Sequence, residues 1–385
     1  MLNPHRSRTS IGLTVNAAHW RLWHDEFMLA KVALVVVSLL VGLGLAEGLV
    51  RVLYPYARDG VIPGRFFVID DELGWKLATS KTSTHRTRYF DATYTSNASG
   101  FRDKPRSVTK IDGNYRALLY GDSLIFGWGL NTGERFSDLW EVETPNLEMW
   151  NHGVPGWGLD QEILLYEKEG EKLFADEAIF FVGASTLSRI HTGYIYSKYK
   201  PMFVRQQDGH MTEVAVPKGK NAIMGVLYEV LSPFYLPYFL QTQIAAFQQS
   251  IRLTRDAAPV TGPMTLESQR LVDEFTKDLL RIAWNTTQKR QHRMTILIAN
   301  LSRADRAALR ALCRDTGITC LEIGPEITAT ATTDSNSDLV FGKHDKHWDV
   351  KANKLIAASI LTQRKQLATA TVKRPCTASA ASVSR

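Results

Sequence analysis

A serine in the turn after an apolar run is the most informative residue of this chain for chemistry. The run Ala117–Tyr120 stops at Gly121, and Ser123 follows, which predicts a buried strand that ends in a tight turn. Open α/β sheets build their sites at the carboxyl ends of strands. A serine hydroxyl is a weak nucleophile until a histidine accepts its proton, and a carboxylate commonly orients that histidine. Asp345 and His347, much later in the chain, could supply both groups, so the residue types indicate nucleophilic acyl chemistry.

Three ordered sequence blocks resemble those of the SGNH/GDSL hydrolases. The blocks are Gly121-Asp122-Ser123, Asn151-His152-Gly153-Val154-Pro155-Gly156 and Asp345-Lys346-His347-Trp348. Three blocks in order are far more specific than a lone Gly-Asp-Ser. The resemblance covers the chain from about Asp70 to the helix after His347. It implies Ser123 as nucleophile, Asp345 and His347 as its partners, and backbone N–H groups of Ser123 and Gly153 in an oxyanion hole.

A further block of the family, after the third strand, departs from its pattern, and the last block departs more mildly, with Asp349 and Ala352 where many relatives have Asn and Gly. The family places an Asn side chain after the third strand as a further oxyanion donor, and here Ser185 aligns with it. A serine hydroxyl donates one hydrogen bond, but it is shorter and free to rotate. Loss of one oxyanion donor typically lowers turnover about 100- to 1000-fold. The departure leaves open a slow enzyme, a transferase with a rearranged site, or a scaffold that only binds.

The key residues also have simpler interpretations. Ser123 alone could be a helix N-cap, a position that serine favours. Gly153 alone could be a turn glycine, and His347 alone could be a surface histidine. Their order along the chain favours the catalytic interpretation for all three.

Neighbouring titratable residues compete for the same roles. Some relatives place the Asp three residues before the His, and here His344 occupies that position. Asp345, two residues before His347, is therefore preferred, with Asp349 as a nearby competitor. His152 is expected to support the site from behind at most.

An apolar segment near the amino terminus predicts a membrane anchor. Val32–Ala46 carries no charge, and residues 28–53 are interrupted only by Lys31, Glu47 and Arg51. A span needs about 20 apolar residues. The alternatives are a buried core helix or a cleaved signal peptide, but the segment begins late for a signal peptide and no small-residue cleavage site follows it. A retained single-pass anchor is therefore predicted over residues 28–53.

Flanking charges favour an amino end in the cytoplasm. Basic residues precede the apolar core at Arg6, Arg8, Arg21 and Lys31, and fewer follow it, at Arg51, Arg58 and Arg65. The rest of the chain is then expected in the periplasm or an equivalent extracytoplasmic compartment, held at the inner membrane.

The composition is that of an ordinary folded protein. Hydrophobic residues make up 44% and charged residues 22% of the chain, as in globular domains. The net charge of +7 is spread without a dense basic stripe interleaved with aromatic residues, so nucleic acid binding is not expected. No Cys/His spacing resembles a zinc site, and neither a metal nor a cofactor is expected.

Two of the three cysteines, Cys313 and Cys320, flank a predicted helix end and the next strand. They could form a disulfide in an oxidising compartment, or they could be buried as small apolar residues. The second interpretation is preferred.

Alternating strands and helices predict an α/β fold with helices on both faces of a mainly parallel sheet. The resemblance implies a flavodoxin-like three-layer sandwich with a five-stranded sheet. The expected boundaries are a cytoplasmic tail (1–27), the anchor helix (28–53), a lead-in of β structure and loops (54–115), a hydrolase-like domain (116–366) and a disordered tail (367–385).

An insertion at 187–262 is rich in aromatic residues. It is predicted to be helical at Ala222–Leu231 and Tyr238–Leu253. Packing against the core is the preferred interpretation, and a lid over the site or a face resting on the membrane are the alternatives.

The sequence therefore predicts ester chemistry. His347 would accept the Ser123 proton and Asp345 would orient His347, while Ser123, Gly153 and Ser185 would hold the oxyanion. The acyl group would pass to water, in a serine esterase, or to a sugar hydroxyl, in an O-acyltransferase. The expected substrate is an acylated small molecule or a cell-envelope or exported glycan. The alternative is a weakened carbohydrate-binding or structural envelope protein on the same scaffold.

Overall fold

The structure, a computed structural model, describes residues 17–244, 247, 270–324, 339–342 and 345–372. It divides the chain into two units. One unit combines Met1–Arg58 with Phe234–Gln249, and the other combines Asp59–Pro233 with Ser250–Arg385.

The helices and strands alternate through most of the chain. The helices are α1 (Ala17–Leu53), α2 (Ser123–Phe126), α3 (Phe136–Glu143), α4 (Leu159–Glu169), α5 (Ala184–Leu187), α6 (Lys220–Leu231), α7 (236–244), α8 (Glu274–Lys289), α9 (Arg303–Thr316) and α10 (Val350–Val372). The strands are β1 (Phe67–Asp70), β2 (Gly74–Leu77), β3 (Thr82–Arg86), β4 (Asp91–Thr95), β5 (Tyr115–Gly121), β6 (Leu147–Gly153), β7 (Glu177–Gly183), β8 (Tyr194–Ile195), β9 (Lys198–Tyr199), β10 (Met202–Arg205), β11 (Met211–Val214), β12 (Arg293–Ala299), β13 (Thr319–Glu322), β14 (Val340–Gly342) and β15 (Asp345–Trp348).

A parallel five-stranded sheet, ordered β13-β12-β7-β5-β6, forms the centre of the larger unit. In chain order, β5 comes first at an inner position, β6 is added on one side of it, and β7, β12 and β13 are added in turn on the other side. This is the flavodoxin-like strand order, whose ligand crevice lies where the direction of filling reverses, between β5 and β7. The α/β sandwich predicted from the sequence is confirmed.

The strands are buried on both faces. In β5, Leu118 and Tyr120 contribute to one core, while Ala117 and Leu119 contribute to the other. This alternation follows from the two-residue period of a strand. Helices α4, α8 and α9 cover the first face and α3 and α10 cover the second, so the sheet is the middle of three layers.

Residues 54–115 contain the two hairpins β1–β2 and β3–β4. In the insertion, the helix predicted at Ala222–Leu231 is observed as α6, but two hairpins that were not predicted, β8–β9 and β10–β11, precede it. The turn between β8 and β9 is formed by Tyr196 and Ser197, both with positive φ, +51° and +59°. Such two-residue turns usually carry Asn and Gly, so the sequence held no turn signal here. Helix α7 begins at 236, and the rest of the predicted Tyr238–Leu253 helix lies largely outside the described residues.

Two further expectations are corrected. Cys313 and Cys320 form a disulfide with a Cα–Cα separation of 6.2 Å, because the turn after α9 brings β13 back beside the helix end, within bridging range. Helix α10 continues to Val372, so the tail predicted to be disordered from Leu367 begins as helix. Residues 367–372 include alanines and lack Gly and Pro, which favours helix; residues 373–385 lie outside the described part.

His152 is a core residue. It is 2% exposed and stacks on Tyr120 with ring centroids 5.0 Å apart, and its Nδ1 has no hydrogen-bond partner among the described residues. Burial lowers the pKa of His152 to about 3. The ring is therefore neutral at pH 7, and burial in the core excludes it from proton transfer with solvent.

This burial predicts an acid-sensitive fold. Below its ordinary pKa of about 6.5 the unfolded chain binds a proton at His152 that the folded chain does not, so the free energy of unfolding falls as pH drops from 6.5 towards 3, by about 2 kcal/mol at pH 5. His152→Phe keeps the stacking and should remove this part of the pH dependence. Urea denaturation in detergent at pH 7 and pH 5 measures it, with the exposed His210→Phe as control. Equal pH dependence in wild type and His152→Phe would contradict the assignment.

Candidate active site

Ser123 opens the four-residue helix α2 directly after β5. Asp122 caps this helix, since its Oδ1 accepts a hydrogen bond from the Leu124 amide at 3.0 Å. Its Oδ2 pairs with Nη1 of Arg189 at 3.0 Å, and Asp122 is fully buried. The aspartate therefore fixes the turn, while the serine hydroxyl projects from the first helical residue.

Glycines let α2 lie against the sheet. A Cβ on Gly153 would fall 2.3 Å from the Phe126 amide nitrogen, and a Cβ on Gly121 would fall 2.1 Å from Cγ1 of Ile125. Both distances are far below van der Waals contact. The positions admit only glycine because β5 and β6 touch the helix backbone and its side chains directly.

Two buried polar side chains hold the other end of α2. Nδ2 of Asn151 donates to the Ile125 carbonyl at 2.7 Å. The Arg102 guanidinium donates to the carbonyls of Phe126 and Gly127 at 2.7 and 2.6 Å. These bonds satisfy carbonyl groups that a helix end leaves without partners.

His347 joins Ser123 to Asp345. Nδ1 of His347 lies 2.7 Å from Oδ1 of Asp345, and Nε2 of His347 lies 2.8 Å from Oγ of Ser123. A carboxylate only accepts, so Nδ1 carries the proton and Nε2 is free to accept the hydroxyl proton of Ser123. Residues 224 positions apart thus form one continuous hydrogen-bonded chain.

Trp128 supports this chain from the loop after α2. Its ring stacks on the His347 imidazole with centroids 5.3 Å apart. Its side chain also donates a hydrogen bond to Asp345. Behind it, the His85 ring meets Trp128 edge-on at 5.0 Å, so the indole is held between two imidazoles.

Asp345, bonded to His347, and His85, behind Trp128, both have lowered pKa values. Burial by itself raises the pKa of Asp345, but hydrogen bonds from His347 and Trp128 outweigh it and leave that pKa below its ordinary value. Burial lowers the pKa of His85 to about 4. His85 is therefore neutral at pH 7, donates from Nε2 to the Asp59 carbonyl at 2.9 Å, and adds no positive charge beside His347.

Ser185 follows β7, the strand next to β5. Parallel strands end at one edge of the sheet, so Ser185 and Ser123 both follow strands that flank the crevice at the reversal point. The Ser185 Oγ is buried and has no hydrogen-bond partner among the described residues. A buried hydroxyl without a partner is unfavourable for folding and common at functional sites.

The Gly153 amide, predicted as an oxyanion donor, is hydrogen-bonded to a neighbouring side chain in the structure. It donates to Oδ1 of Asn151 at 2.9 Å, because the Asn151 side chain folds back beside its own strand. The Ser123 amide, by contrast, donates to no acceptor outside α2 among the described residues. The structure thus brings Ser123, His347 and Asp345 together and leaves Gly153 packed beside them with its N–H engaged.

Sequence reasoning missed Arg102, Trp128 and Asn151. Trp128 and Asn151 lie within or beside the blocks that indicated the site. Their spacing in the sequence does not predict that they contact His347 or the backbone of α2. Arg102 lies in the lead-in segment, and only its burial, 1% exposed, reveals its role. The competitor Asp349 instead caps α10, since its Oδ1 accepts from the Ala352 amide at 2.8 Å; His344 lies outside the described residues.

No protein-family model and no curated protein matches this chain. Among solved structures it is similar to a member of the lipolytic protein G-D-S-L family from Veillonella parvula, with 11% identity, a TM-score of 0.36, and 64% of this chain and 97% of that chain covered. It is also similar to a psychrotrophic esterase from Pseudoalteromonas, with 12% identity, a TM-score of 0.37, and coverage of 66% and 100%. An acetyl-xylooligosaccharide esterase variant from Geobacillus has 11% identity, a TM-score of 0.37, and coverage of 66% and 96%.

The contacts of Trp128 predict that it positions His347 and Asp345. Trp128→Phe keeps an aromatic ring against His347 but removes the donor to Asp345, so the pKa of Asp345 should rise and His347 should be held less firmly. We expect turnover on a small ester to fall about tenfold with little change in KM, and the acid limb of the pH–rate profile to move to higher pH. Trp140→Phe, in α3, is the matched control. A pH profile shifted equally in both variants, or in neither, would contradict the role of Trp128.

Proposed function

We propose that this chain is a serine ester hydrolase or O-acyltransferase. One observation carries the proposal: the hydrogen-bonded chain from Ser123 through His347 to Asp345, with both links at 2.8 Å or less. A nucleophile bonded to a base, with the base bonded to an orienting carboxylate, is the geometry of serine acyl transfer. The strand-end position of Ser123 supports the same conclusion.

The reaction would proceed in two halves. His347 accepts the Ser123 proton while Oγ attacks the acyl carbonyl, and Asp345 stabilises the charged imidazole. The tetrahedral species collapses to an ester on Ser123, and the alcohol leaves with the proton held by His347. Water or a second hydroxyl then attacks the acyl-enzyme, with His347 again as base, and restores Ser123.

The oxyanion would be held by the Ser123 amide and the Ser185 hydroxyl. Among the described residues, the Ser123 amide donates to no acceptor outside α2, and the Ser185 hydroxyl has no hydrogen-bond partner. Gly153 is the third candidate donor, and its amide would have to be shared with Asn151 or turned away from it. Preorganised donors of this kind are usually the largest single contribution to such catalysis.

We further propose that the protein is anchored in the inner membrane with its catalytic domain outside the cytoplasm. Met28–Leu53 is helical, has a mean hydropathy of 2.4 and is long enough to span a bilayer. Excess basic residues before it favour a cytoplasmic tail over residues 1–27. The domain over residues 116–366 would then meet acylated small molecules or acylated glycans of the envelope or of export pathways.

A second candidate function is binding of an acylated glycan without turnover. The engaged Gly153 amide favours it, because an oxyanion hole with one amide and one rotatable hydroxyl is weak. The same experiment separates the two candidates.

Ser123 should be the nucleophile. The full chain in detergent should hydrolyse a small chromogenic acetate ester, and a serine-reactive phosphonate should label Ser123 and stop the reaction. Ser123→Ala should lower turnover by about 10⁴-fold or more, since the nucleophile and base act as a unit. The exposed Ser188→Ala is the control. A wild type no faster than Ser123→Ala would favour the binding function, and labelling at another serine would refute the assignment.

Ser185 should show opposite effects on folding and on rate. Ser185→Ala removes a buried hydroxyl without a partner, so the free energy of unfolding should stay equal or rise. If Ser185 holds the oxyanion, turnover should nevertheless fall about 10- to 100-fold with KM nearly unchanged. Ser188→Ala again serves as control. Unchanged turnover in a stably folded Ser185→Ala would remove Ser185 from the oxyanion hole.

A further inference from the structure

Helix α6 turns its large apolar side chains outward. The exposed residues share one stripe at helical spacing and are between 41% and 67% exposed: Ile223, Val226, Leu227, Val230 and Leu231. In a soluble domain this stripe would face the core. A contiguous apolar surface of this kind marks a contact with a membrane or another molecule.

The opposite face of α6 explains why the helix cannot turn over. Asn221 is buried and exchanges hydrogen bonds with the backbone of Tyr199, accepting from its amide and donating to its carbonyl, both at 2.7 Å. Gly225 lies so close to β1 that a Cβ there would be 2.9 Å from Cγ1 of Ile69. The helix therefore packs against the domain through Asn221 and Gly225, and the apolar stripe on its other face stays exposed.

The segment after α6 is bonded to the apolar span. The amides of Tyr235 and Leu236 donate to the Glu47 carboxylate at 2.9 and 2.8 Å. Glu47 lies within the Met28–Leu53 segment that could cross a membrane. Helix α7, which follows, again exposes apolar side chains at helical spacing, Leu240 and Ile244.

We propose that the apolar stripe of α6 is a membrane-docking surface that inserts into the interfacial layer of the lipid bilayer. This rests on the anchoring part of the proposed function, because the anchor brings the bilayer to the chain. Only three residues lie between Leu231 and Tyr235 in the chain, so continuity with the span favours lipid as the occupant. Exposed Lys218 and Lys220 at the start of α6 suit anionic head groups.

Depth-dependent quenching tests the proposal on the full chain. Val226→Cys in a Cys376→Ser background is labelled with an environment-sensitive nitrobenzoxadiazole dye and reconstituted into phosphatidylethanolamine–phosphatidylglycerol vesicles. Val142→Cys, at a valine that is 80% exposed on α3, is the matched control. We expect blue-shifted emission at position 226 and loss of fluorescence when the vesicles contain lipids with a nitroxide on the shallow part of the acyl chain, with neither effect at position 142.

The outcomes separate docking from anchoring. Emission at position 226 that is no bluer and no more quenched than at position 142 overturns the docking surface, and so does self-quenching that grows with the protein-to-lipid ratio, which identifies a second copy as the occupant. Alkaline extraction of the same vesicles tests the anchor. If alkaline extraction releases the chain although lipid quenched position 226 beforehand, the docking surface stands and the anchor is refuted. If the chain is retained but position 226 was not quenched, the anchor stands and the docking surface is refuted.

Discussion

The placement of the four-residue helix α2 is the constraint on which the site depends. A helix this short has no stability of its own, so its position is decided by what surrounds it. Asp122 caps its amino end, Arg102 and Asn151 take its last carbonyls, and Gly153 lets β6 reach its backbone. Ser123 is thereby held in one position, and in the proposed function a fixed nucleophile is what efficient acyl transfer would require.

Buried charge beneath this helix is balanced by the insertion. Arg189 supplies the counter-ion of Asp122, and Lys200 donates to Asp160 at the start of α4. Glu162, fully buried nearby, has a pKa raised well above its ordinary value by burial and by the neighbouring carboxylates Asp122 and Asp160. This shift favours the neutral form of Glu162, in which it would add no third negative charge to the cluster. Both cations belong to the segment after β7. The beginning of the insertion therefore supplies the counter-ions of the carboxylates buried beside α2.

Local sequence patterns predicted much of the fold and part of the candidate site. Apolar runs predicted the buried strands, and the serine at the end of the first of them, with the later Asp345–His347 pair, indicated acyl chemistry. Ser185 came only from the resemblance to the hydrolase blocks. What local patterns could not predict depends on contacts between distant segments. Arg102 meets the carbonyls of α2 only after folding, and the turn at Tyr196 and Ser197 lacks the Asn-Gly pair that usually marks a two-residue hairpin turn. The Cys313–Cys320 bridge needed a Cα separation that spacing alone does not give.

The residue at position 185 decides how an oxyanion hole could be assembled here. Rotation of the Ser185 hydroxyl towards a developing charge breaks no hydrogen bond, since its oxygen has no partner among the described residues. Turning the Gly153 amide towards the same charge would break its bond to Asn151, which also ties β6 to α2 through the Ile125 carbonyl. The first movement is cheap and local, and the second would loosen the helix that carries the nucleophile. In the proposed reaction the oxyanion would therefore be held by Ser123 and Ser185 with Gly153 left in place. The site would lose one strong donor and keep its nucleophile rigidly positioned.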